Sequence, residues 1–309
     1  MKRFISTLVV AGALAGAVQA YDLPSVNLGF TSFLDGAPPA GPGFYFTEYL
    51  QFYTADKFAG PHGGGAFAPA TPKVDVFASL SQVIYQSNQP ILLGGKWGVD
   101  FILPVVNFDL KPGGSPLSDN GTGIGDFLVG PYIQWDPIMG KNGPVFVHRI
   151  ELQCITPTGR YSATDALNPG ANFFSFDPYW AATWFPTPKC ELSWRIHYLW
   201  NDENDEPFVG YGVNKTQAGD AVHLNFASSY ELLTHQLRAG INGYYLKQLG
   251  ASTMNGVAVT GREQVLGLGP GAIYSFSQND HIFVNIYFEL AAENRPEGER
   301  YILRWVHHF

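Results

Sequence analysis

The sequence predicts an all-β fold: a transmembrane antiparallel β-barrel of about twelve strands, with an N-terminal segment folded into the lumen. Alternation of polar and apolar residues with period two recurs along the chain, whereas helical periodicity is almost absent. Charged residues make up only 14% of the chain and aromatic residues 15%, although about a quarter of the residues in a soluble protein are usually charged. Lipid-facing strands with aromatic girdles account for both observations.

The first twenty residues have the three-part layout of a cleavable secretory signal. Lys2 and Arg3 precede an apolar stretch from 4 to 18, and Val18-Gln19-Ala20 has the form of a cleavage site. A membrane anchor does not fit, because the apolar stretch is shorter than the roughly 20 residues that a spanning helix needs. We therefore expect cleavage after Ala20 and export to the outer membrane of a Gram-negative bacterium.

No linker, charge block or change of composition divides the rest of the chain. We expect a signal peptide at 1–20, a lumen-occluding segment at 21–42 and a single barrel domain at 43–309. The 26 acidic residues exceed the 18 basic ones, giving a net charge of −8, which argues against nucleic acid as a partner. Cys154 and Cys190 fall on strands two places apart and at different heights, which predicts two free thiols.

Segmentation at turn-forming clusters gives twelve strand candidates, an even number, as in bacterial single-chain barrels. They are residues 43–57, 73–87, 94–106, 123–136, 144–157, 173–186, 190–201, 219–233, 236–248, 261–276, 281–292 and 299–309. The clearest alternation lies in 190–201, where Glu191, Ser193, Arg195 and His197 alternate with apolar residues. Long and short connections alternate, as expected when one end of the barrel faces the medium and the other the periplasm.

Charged side chains on the predicted inner face are mixed in sign and nearly balanced, so we expect them to pair with one another across the lumen. They are Arg149, Glu151, Glu191, Arg195, His197, Glu231, Arg238, Glu289 and Arg304. Two interpretations stay open: a structural network that fills a small barrel, and the lining of a water-filled track for polar solutes.

The segment before the first strand is rich in proline, glycine and apolar residues. Its side chains Val26, Leu28, Phe30, Phe33 and Leu34 favour a position inside the lumen over a tail in the periplasm, because a dangling tail is usually polar. Such a segment cannot lie in lipid without backbone partners. We expect it to narrow the lumen.

Four prolines fall inside strand candidates: Pro104, Pro131, Pro178 and Pro270. Each lacks the N–H group that a β-ladder requires. In a closed barrel this implies a bulge or a break in pairing, and a break at membrane height would be a lateral window. Bending of the strands to close a small barrel is the alternative interpretation.

The last strand places Tyr301, Leu303, Trp305 and Phe309 on one face. A terminal aromatic residue in this setting resembles the barrel-assembly signal of outer-membrane proteins. His307 departs from the pattern, since an aromatic or aliphatic residue is commoner at that position.

Motifs for catalysis and metal binding lack their expected context. Gly121-x-Gly123-x-Gly125 is not followed by a helical pattern, which argues against a nucleotide loop. The acidic run at 202–206 lacks the spacing of a calcium loop and favours a solvated outer loop. His148, His223 and His281 have no spaced partners that compel a catalytic triad. We expect no enzymatic activity, no metal site and no cofactor.

Several stretches together resemble the outer-membrane channels of the family associated with the meta-pathway of phenol degradation. They are LPSVNLGFTSFLDGAPPAGPGF from Leu23, GIGDFLVGPYIQW from Gly123, PTGRY from Pro157, NPGANFFSFDPYWAATWFPTP from Asn168, LRAGINGYYLKQL from Leu237 and FELAAENRPEG from Phe288. The resemblance implies a twelve-stranded barrel with its N-terminal segment inside. It also implies uptake of hydrophobic small molecules, including aromatics and, in one member, the sphingoid base sphingosine, and a lateral route through the wall.

The expected function is therefore passive uptake of small hydrophobic molecules, aromatic or lipid-like, with a lateral exit through the barrel wall. A narrow diffusion pore for small polar solutes or ions is the alternative. The expected partners are the hydrophobic substrate, outer-membrane lipid and lipopolysaccharide, and the barrel-assembly machinery. We expect the channel itself to be a monomer.

Overall fold

The computed structural model describes residues 23–38, 40–115 and 117–309, without the side chain of His62. The predicted signal peptide and its cleavage site lie outside the described residues. Within them are two short 3-10 turns, Pro61–Gly63 and Val209–Tyr211, and twenty strands. The strands are β1 Gly43–Ala59, β2 Lys73–Leu92, β3 Gly95–Lys111, β4 Thr122–Ile124, β5 Phe127–Gln134, β6 Ile138–Gly140, β7 Gly143–Glu151, β8 Cys154–Thr156, β9 Ser175–Phe176, β10 Tyr179–Thr187, β11 Cys190–Asn201, β12 Glu203–Asn204, β13 Thr216–Gln217, β14 Ala221–Leu233, β15 Leu237–Gln248, β16 Thr253–Met254, β17 Val257–Ala258, β18 Gln264–Ser275, β19 Asp280–Glu293 and β20 Arg295–His308.

These strands close a twelve-stranded antiparallel barrel, which confirms the predicted fold class. Nine barrel strands are continuous, and three consist of two pieces each: β4 with β5, β7 with β8, and β9 with β10. The first strand, β1, pairs with the last, β20, so the wall has no free edge. Closure supplies partners to the backbone groups of the wall within the wall itself.

The two ends of the barrel differ in the length of their connections. The short-turn end carries the start of β1, the end of β20 and turns such as Pro188-Lys189. The long-loop end carries the loops at 60–72, 112–121, 157–174, 202–220 and 249–263. There β12, β13, β16 and β17 form a separate four-stranded sheet. The alternation of long and short connections agrees with the expected one.

The β2–β3 hairpin is longer than the sequence pattern predicts. β2 continues to Leu92 instead of ending at 87, because Pro90 and Leu92 still pair with Lys96 and Gly95 across two register shifts. The polar run before Pro90 therefore lies inside a strand and is not a turn.

The alternation of faces follows the prediction most clearly on β11. Glu191 and His197 are buried towards the interior, whereas Leu192, Ile196 and Tyr198 are exposed on the outer face. Cys154 and Cys190 are both free. Within the described part of the chain, no helix is long and apolar enough to cross a membrane.

Inward-facing tyrosines pack over glycines of neighbouring strands. The Tyr244 ring lies over Gly267 of β18, where an added Cβ would come within 3.0 Å of three ring atoms. The Tyr244 hydroxyl group donates a hydrogen bond of 2.8 Å to Glu289 on β19. The glycine thus lets one ring connect three strands inside the barrel.

We predict that Gly267→Val displaces the Tyr244 ring and lowers the free energy of unfolding by about 1–3 kcal/mol, the usual cost of overpacking a filled interior. The measurement is urea unfolding of the refolded barrel, followed by its heat-modifiable migration on gels. Gly64→Ala is the matched control, because an added Cβ there meets nothing within 4 Å. Equal stability of Gly267→Val and the native protein would contradict the packing described.

Candidate functional site

The segment before β1 makes its contacts with side chains that face the barrel interior. The Gly29 N–H group donates to Asn225 Oδ1 of β14 at 2.8 Å, and the Tyr287 hydroxyl group of β19 donates to the Gly29 carbonyl at 2.9 Å. Gly29 has a φ of +83°, and Tyr287 lies against the position where a Cβ would stand. Glycine is therefore required where the chain approaches the wall.

Two apolar side chains of the segment are buried in separate clusters. Leu28 packs in a cluster that includes Tyr244, Leu246 and Tyr287, and Val26 and Phe30 lie against it. Phe33 packs in a second cluster, nearer the short-turn end, and Leu34 lies against it. That cluster also contains Tyr45, Ile84, Tyr132, Ala227, Ile273, Phe283 and Val306. The five predicted plug residues thus contact side chains from opposite sides of the barrel.

Asp35 is the charged group that fastens the segment to the wall. Its carboxylate accepts two hydrogen bonds from the Arg195 guanidinium, at 2.7 and 2.8 Å, and both side chains are buried. The adjacent Gly36 N–H group donates to Thr183 Oγ1 at 2.8 Å, and Gln134 Nε2 donates to the Gly36 carbonyl at 3.0 Å. Three strands, β5, β10 and β11, therefore hold two consecutive residues of the segment.

The charged residues predicted to face inward do so, but the described ion pairs join them to residues outside that set. Arg195 pairs with Asp35, and Glu289 with Arg300 at 3.8 Å. His197 shares a hydrogen bond with Asp177.

The other predicted charges have neutral or nearby partners. Glu151 accepts a hydrogen bond from the Tyr179 hydroxyl group, and Glu191 accepts from two serines. Glu231 contacts His235, and Arg238 donates to Ser229. Arg149 and Arg304 lie over aromatic rings, with Arg304 3.5 Å from the Phe283 ring centre.

A cavity of about 280 Å³ lies between the segment and the wall towards the long-loop end. Its apolar lining includes Val26 and Phe30 from the segment, and Ile102, Leu128 and Ile155 from the wall. Polar groups also reach it: Gln51, Gln82, Asp100 and Gln153. A dry apolar cavity of about 150 Å³ can already hold a benzene molecule, so the space is sufficient for a small aromatic compound.

The wall beside this cavity is interrupted between β5 and the β7–β8 strand. Val129 pairs with Cys154, and Tyr132 pairs with Glu151, but Gly130 and Pro131 between them have no assigned pair on this side. On the other side they stay paired with Asp100 and Val99 of β3. Pro131 accepts a hydrogen bond of 3.0 Å from the Leu152 N–H group and has no N–H to return.

Pro104 and Pro178 show the same one-sided pairing on nearby strands. The Pro104 carbonyl accepts from Gly125 N–H at 2.9 Å, and the Pro178 carbonyl accepts from Tyr198 N–H at 3.1 Å. Pro104 lines the cavity. Pro270 lies away from this region, where the β18–β19 ladder lacks pairing at Gly269 and Pro270.

The loop at 157–174 closes over the cavity and is fixed by Asp126. The Asp126 carboxylate accepts hydrogen bonds from the Gly159 N–H group at 2.9 Å and from the Ala171 N–H group at 2.7 Å. Tyr161 of this loop lines the cavity, and burial raises the pKa of its hydroxyl group above the usual value. That hydroxyl therefore stays protonated and donates to the Glu206 carbonyl at 2.7 Å.

The C-terminal strand presents Tyr301, Leu303, Trp305 and Phe309 on the outer face, where all four are exposed. The structure thus places them on one face, as the sequence pattern predicts; their recognition by the assembly machinery stays a prediction. Sequence reasoning did not single out Asp35, Asp126 or Asp177. Asp35 and Asp177 are each the lone charged residue of an apolar stretch, a signal that could have identified them.

Comparison with known proteins identifies the family. A family model described as "Putative MetA-pathway of phenol degradation" matches residues 55–305. The chain belongs to this family. The resemblance expected from the sequence is thereby confirmed. No curated protein sequence matches this member of the phenol-degradation family at a significant level.

Solved structures show the same fold. An outer membrane channel from Pseudomonas putida F1 is 19% identical, with a TM-score of 0.76, and the match covers 92% of this chain and 100% of that one. The translocator domain of the autotransporter NalP from Neisseria meningitidis is 12% identical, with a TM-score of 0.50 and coverage of 87% and 89%. At these identities the similarity establishes the barrel fold.

We predict that Asp35→Asn loosens the segment, because removal of one partner from a buried ion pair typically costs about 3–5 kcal/mol. The measurement is single-channel conductance in planar bilayers, which should rise as the lumen opens. The double variant Asp35→Asn/Arg195→Gln should return the conductance towards the native value, because no buried charge is left without its partner. Asp56→Asn, at an exposed acid, is the control. An unchanged conductance in Asp35→Asn would contradict the fastening role.

Proposed function

We propose that this protein is an outer-membrane channel for passive uptake of small hydrophobic molecules, which leave the lumen sideways through the wall. The observation that carries the proposal is the position of the cavity. It has the segment on one side and, on the other, the wall residues Leu128 and Gln153, which lie beside the stretch of Gly130 and Pro131 that lacks pairing with the next strand. The channel needs no catalytic group and no cofactor for this role.

The outer face of the barrel supports a location in the outer membrane. Large apolar and aromatic side chains such as Phe52, Phe101, Trp184, Ile196 and Leu303 are exposed there. A soluble monomer rarely exposes so much contiguous apolar surface. Lipid and lipopolysaccharide would cover this face, and such a barrel requires no second copy to hide it.

The obstruction along the axis supports a lateral exit. The segment contacts inward side chains of β5, β10, β11, β14 and β19, so it stands across the direct path to the short-turn end. An apolar solute that left along the axis would also return to water, at about 0.8 kcal/mol for each CH₂ group exposed again. Exit into the bilayer avoids that cost.

The cavity lining supports apolar cargo of roughly the size of one aromatic ring. Apolar side chains such as Phe30, Ile102 and Ile155 form much of its lining, beside polar and charged groups that include Arg195 and Arg300. Aromatic compounds and the ends of lipid-like chains fit this description. The polar side chains of Gln51 and Gln82 favour one alternative function, a narrow pore for small polar solutes. Measurements of apolar uptake and of liposome swelling distinguish this pore from the proposed channel.

We predict that a disulfide at the edge of the unpaired stretch, which prevents β5 and β8 from separating, blocks uptake. Val129 and Cys154 are Cα partners on the outer face, so Val129→Cys places two thiols directly opposite each other. Opposed residues lie about 4.5–5.5 Å apart between Cα atoms, within the range of a disulfide. Cells that express oxidised Val129→Cys should take up a radiolabelled monoaromatic compound no faster than cells without the channel. Reduction should restore uptake.

The matched control uses the second native cysteine. Cys190 and Tyr230 are Cα partners on the uninterrupted β11–β14 ladder, so Tyr230→Cys forms the same cross-link away from the cavity. Its oxidation should leave uptake unchanged. Full uptake through oxidised Val129→Cys would contradict the lateral exit. Rapid swelling of liposomes in sugars or amino acids, without apolar uptake, would support the polar pore instead.

A further inference from the structure

Asp177, His197 and His223 form a compact buried cluster on the inner wall. Asp177 lies between β9 and β10, His197 on β11 and His223 on β14, so three neighbouring barrel strands contribute one residue each. His197 and His223 are Cα partners, and their rings stack at 4.0 Å between centres. All three side chains are at most 1% exposed.

One carboxylate joins the two imidazoles. His197 Nδ1 lies 3.0 Å from Asp177 Oδ2, and His223 Nε2 lies 3.0 Å from Asp177 Oδ1. The three potential ligand atoms lie within 4.8 Å of one another. Zn²⁺ binds imidazole nitrogen and carboxylate oxygen at about 2.0–2.2 Å, so one ion can reach atoms with this spacing after small shifts of the side chains.

The two imidazoles make no described hydrogen bond other than those to Asp177. Within the described structure, His197 Nε2 and His223 Nδ1 are buried and have no hydrogen-bond partner. An ion held by the two nitrogens that face Asp177 leaves the ring protons on these other atoms, so the spacing of the three ligand atoms, and not the unpaired nitrogens, indicates the site.

The nearby charges leave the cluster able to take a cation. The Arg195 guanidinium, two residues before His197, is neutralised by its bidentate pair with Asp35. Asp177 carries the negative charge, and the Tyr179 ring lies tilted beside His197, with 4.8 Å between ring centres. Two imidazoles and one carboxylate form a donor set that suits zinc and other divalent transition metals more than calcium or magnesium.

We propose that Asp177, His197 and His223 bind a divalent transition metal ion such as Zn²⁺. The ion replaces the two hydrogen bonds between the imidazoles and the carboxylate and ties three strands together. The site adjoins Pro178, where the wall lacks one donor, so the ion reinforces the barrel beside its interrupted region. This inference is independent of the proposed transport function.

The test is isothermal titration of the refolded barrel with Zn²⁺ at pH 7.5, after chelator treatment and without a polyhistidine tag. His307 and Asp280 form a surface pair at 2.7 Å that offers a second binding place, so every variant carries His307→Gln. In this background we expect one bound ion per chain. His197→Gln and His223→Gln should each weaken binding by at least about 100-fold.

His281→Gln is the matched control, because His281 is a buried histidine that bonds to Ser275 and Gln278, away from the cluster. Its affinity for Zn²⁺ should equal that of the background protein. Absence of binding in the background, or equal binding after His197→Gln and His223→Gln, would overturn the proposal.

X-ray absorption of the Zn²⁺-loaded background protein gives a readout that needs no further variant. The scattering pattern of two imidazoles is expected. Coordination by oxygen alone would reject the site, even if the glutamine variants failed to fold.

Discussion

The structure depends on closure of the β-ladder, since in lipid the wall's backbone groups must find partners within the wall. Pairing of β1 with β20 removes the free edge. Three prolines in one part of the wall, Pro104, Pro131 and Pro178, accept hydrogen bonds and return none. The wall is therefore closed, but ladder pairs are missing beside Pro131 and, away from it, at Gly269 and Pro270.

Closure also creates an interior that twelve strands cannot fill with strand side chains alone. The N-terminal segment occupies part of that interior, and the buried pair of Asp35 with Arg195 holds it against the wall. The cavity lies where the segment and the loop at 157–174 leave space, on the side of the wall where ladder pairs are missing beside Pro131. Obstruction of the axis and the missing ladder pairs of the wall thus lie on two sides of the same cavity, and the proposed lateral exit rests on that arrangement.

The barrel was predictable because its causes are local. Period-two alternation in residues such as Glu191 to His197 determines which side chains face lipid, and the missing N–H group of Pro131 identifies a weak point from the sequence alone. Segmentation of the chain at turn-forming clusters also predicted the number of barrel strands and the alternation of long and short connections.

The partners of the buried charges were not predictable, because they depend on contacts between distant parts of the chain. Asp35 and Arg195 lie 160 positions apart in the sequence, and Asp177 and His223 lie 46 positions apart. No local sequence pattern predicts a contact between residues so far apart. We expected the inward charges to pair with one another, but the partner of Arg195 is Asp35, which belongs to the N-terminal segment. The Asp177 cluster, which we propose as a metal site, was not predictable either, because its members have no metal-ligand spacing along the chain.

The most direct test of the lateral route is the location of a bound solute. Crystals of the barrel soaked with a brominated monoaromatic compound would give the bromine position by anomalous diffraction. A lateral route predicts a bromine peak in the cavity between Phe30 and Leu128, on the side of Gln153. A peak on the axial path below Asp35, towards the short-turn end, with the cavity empty, would contradict it.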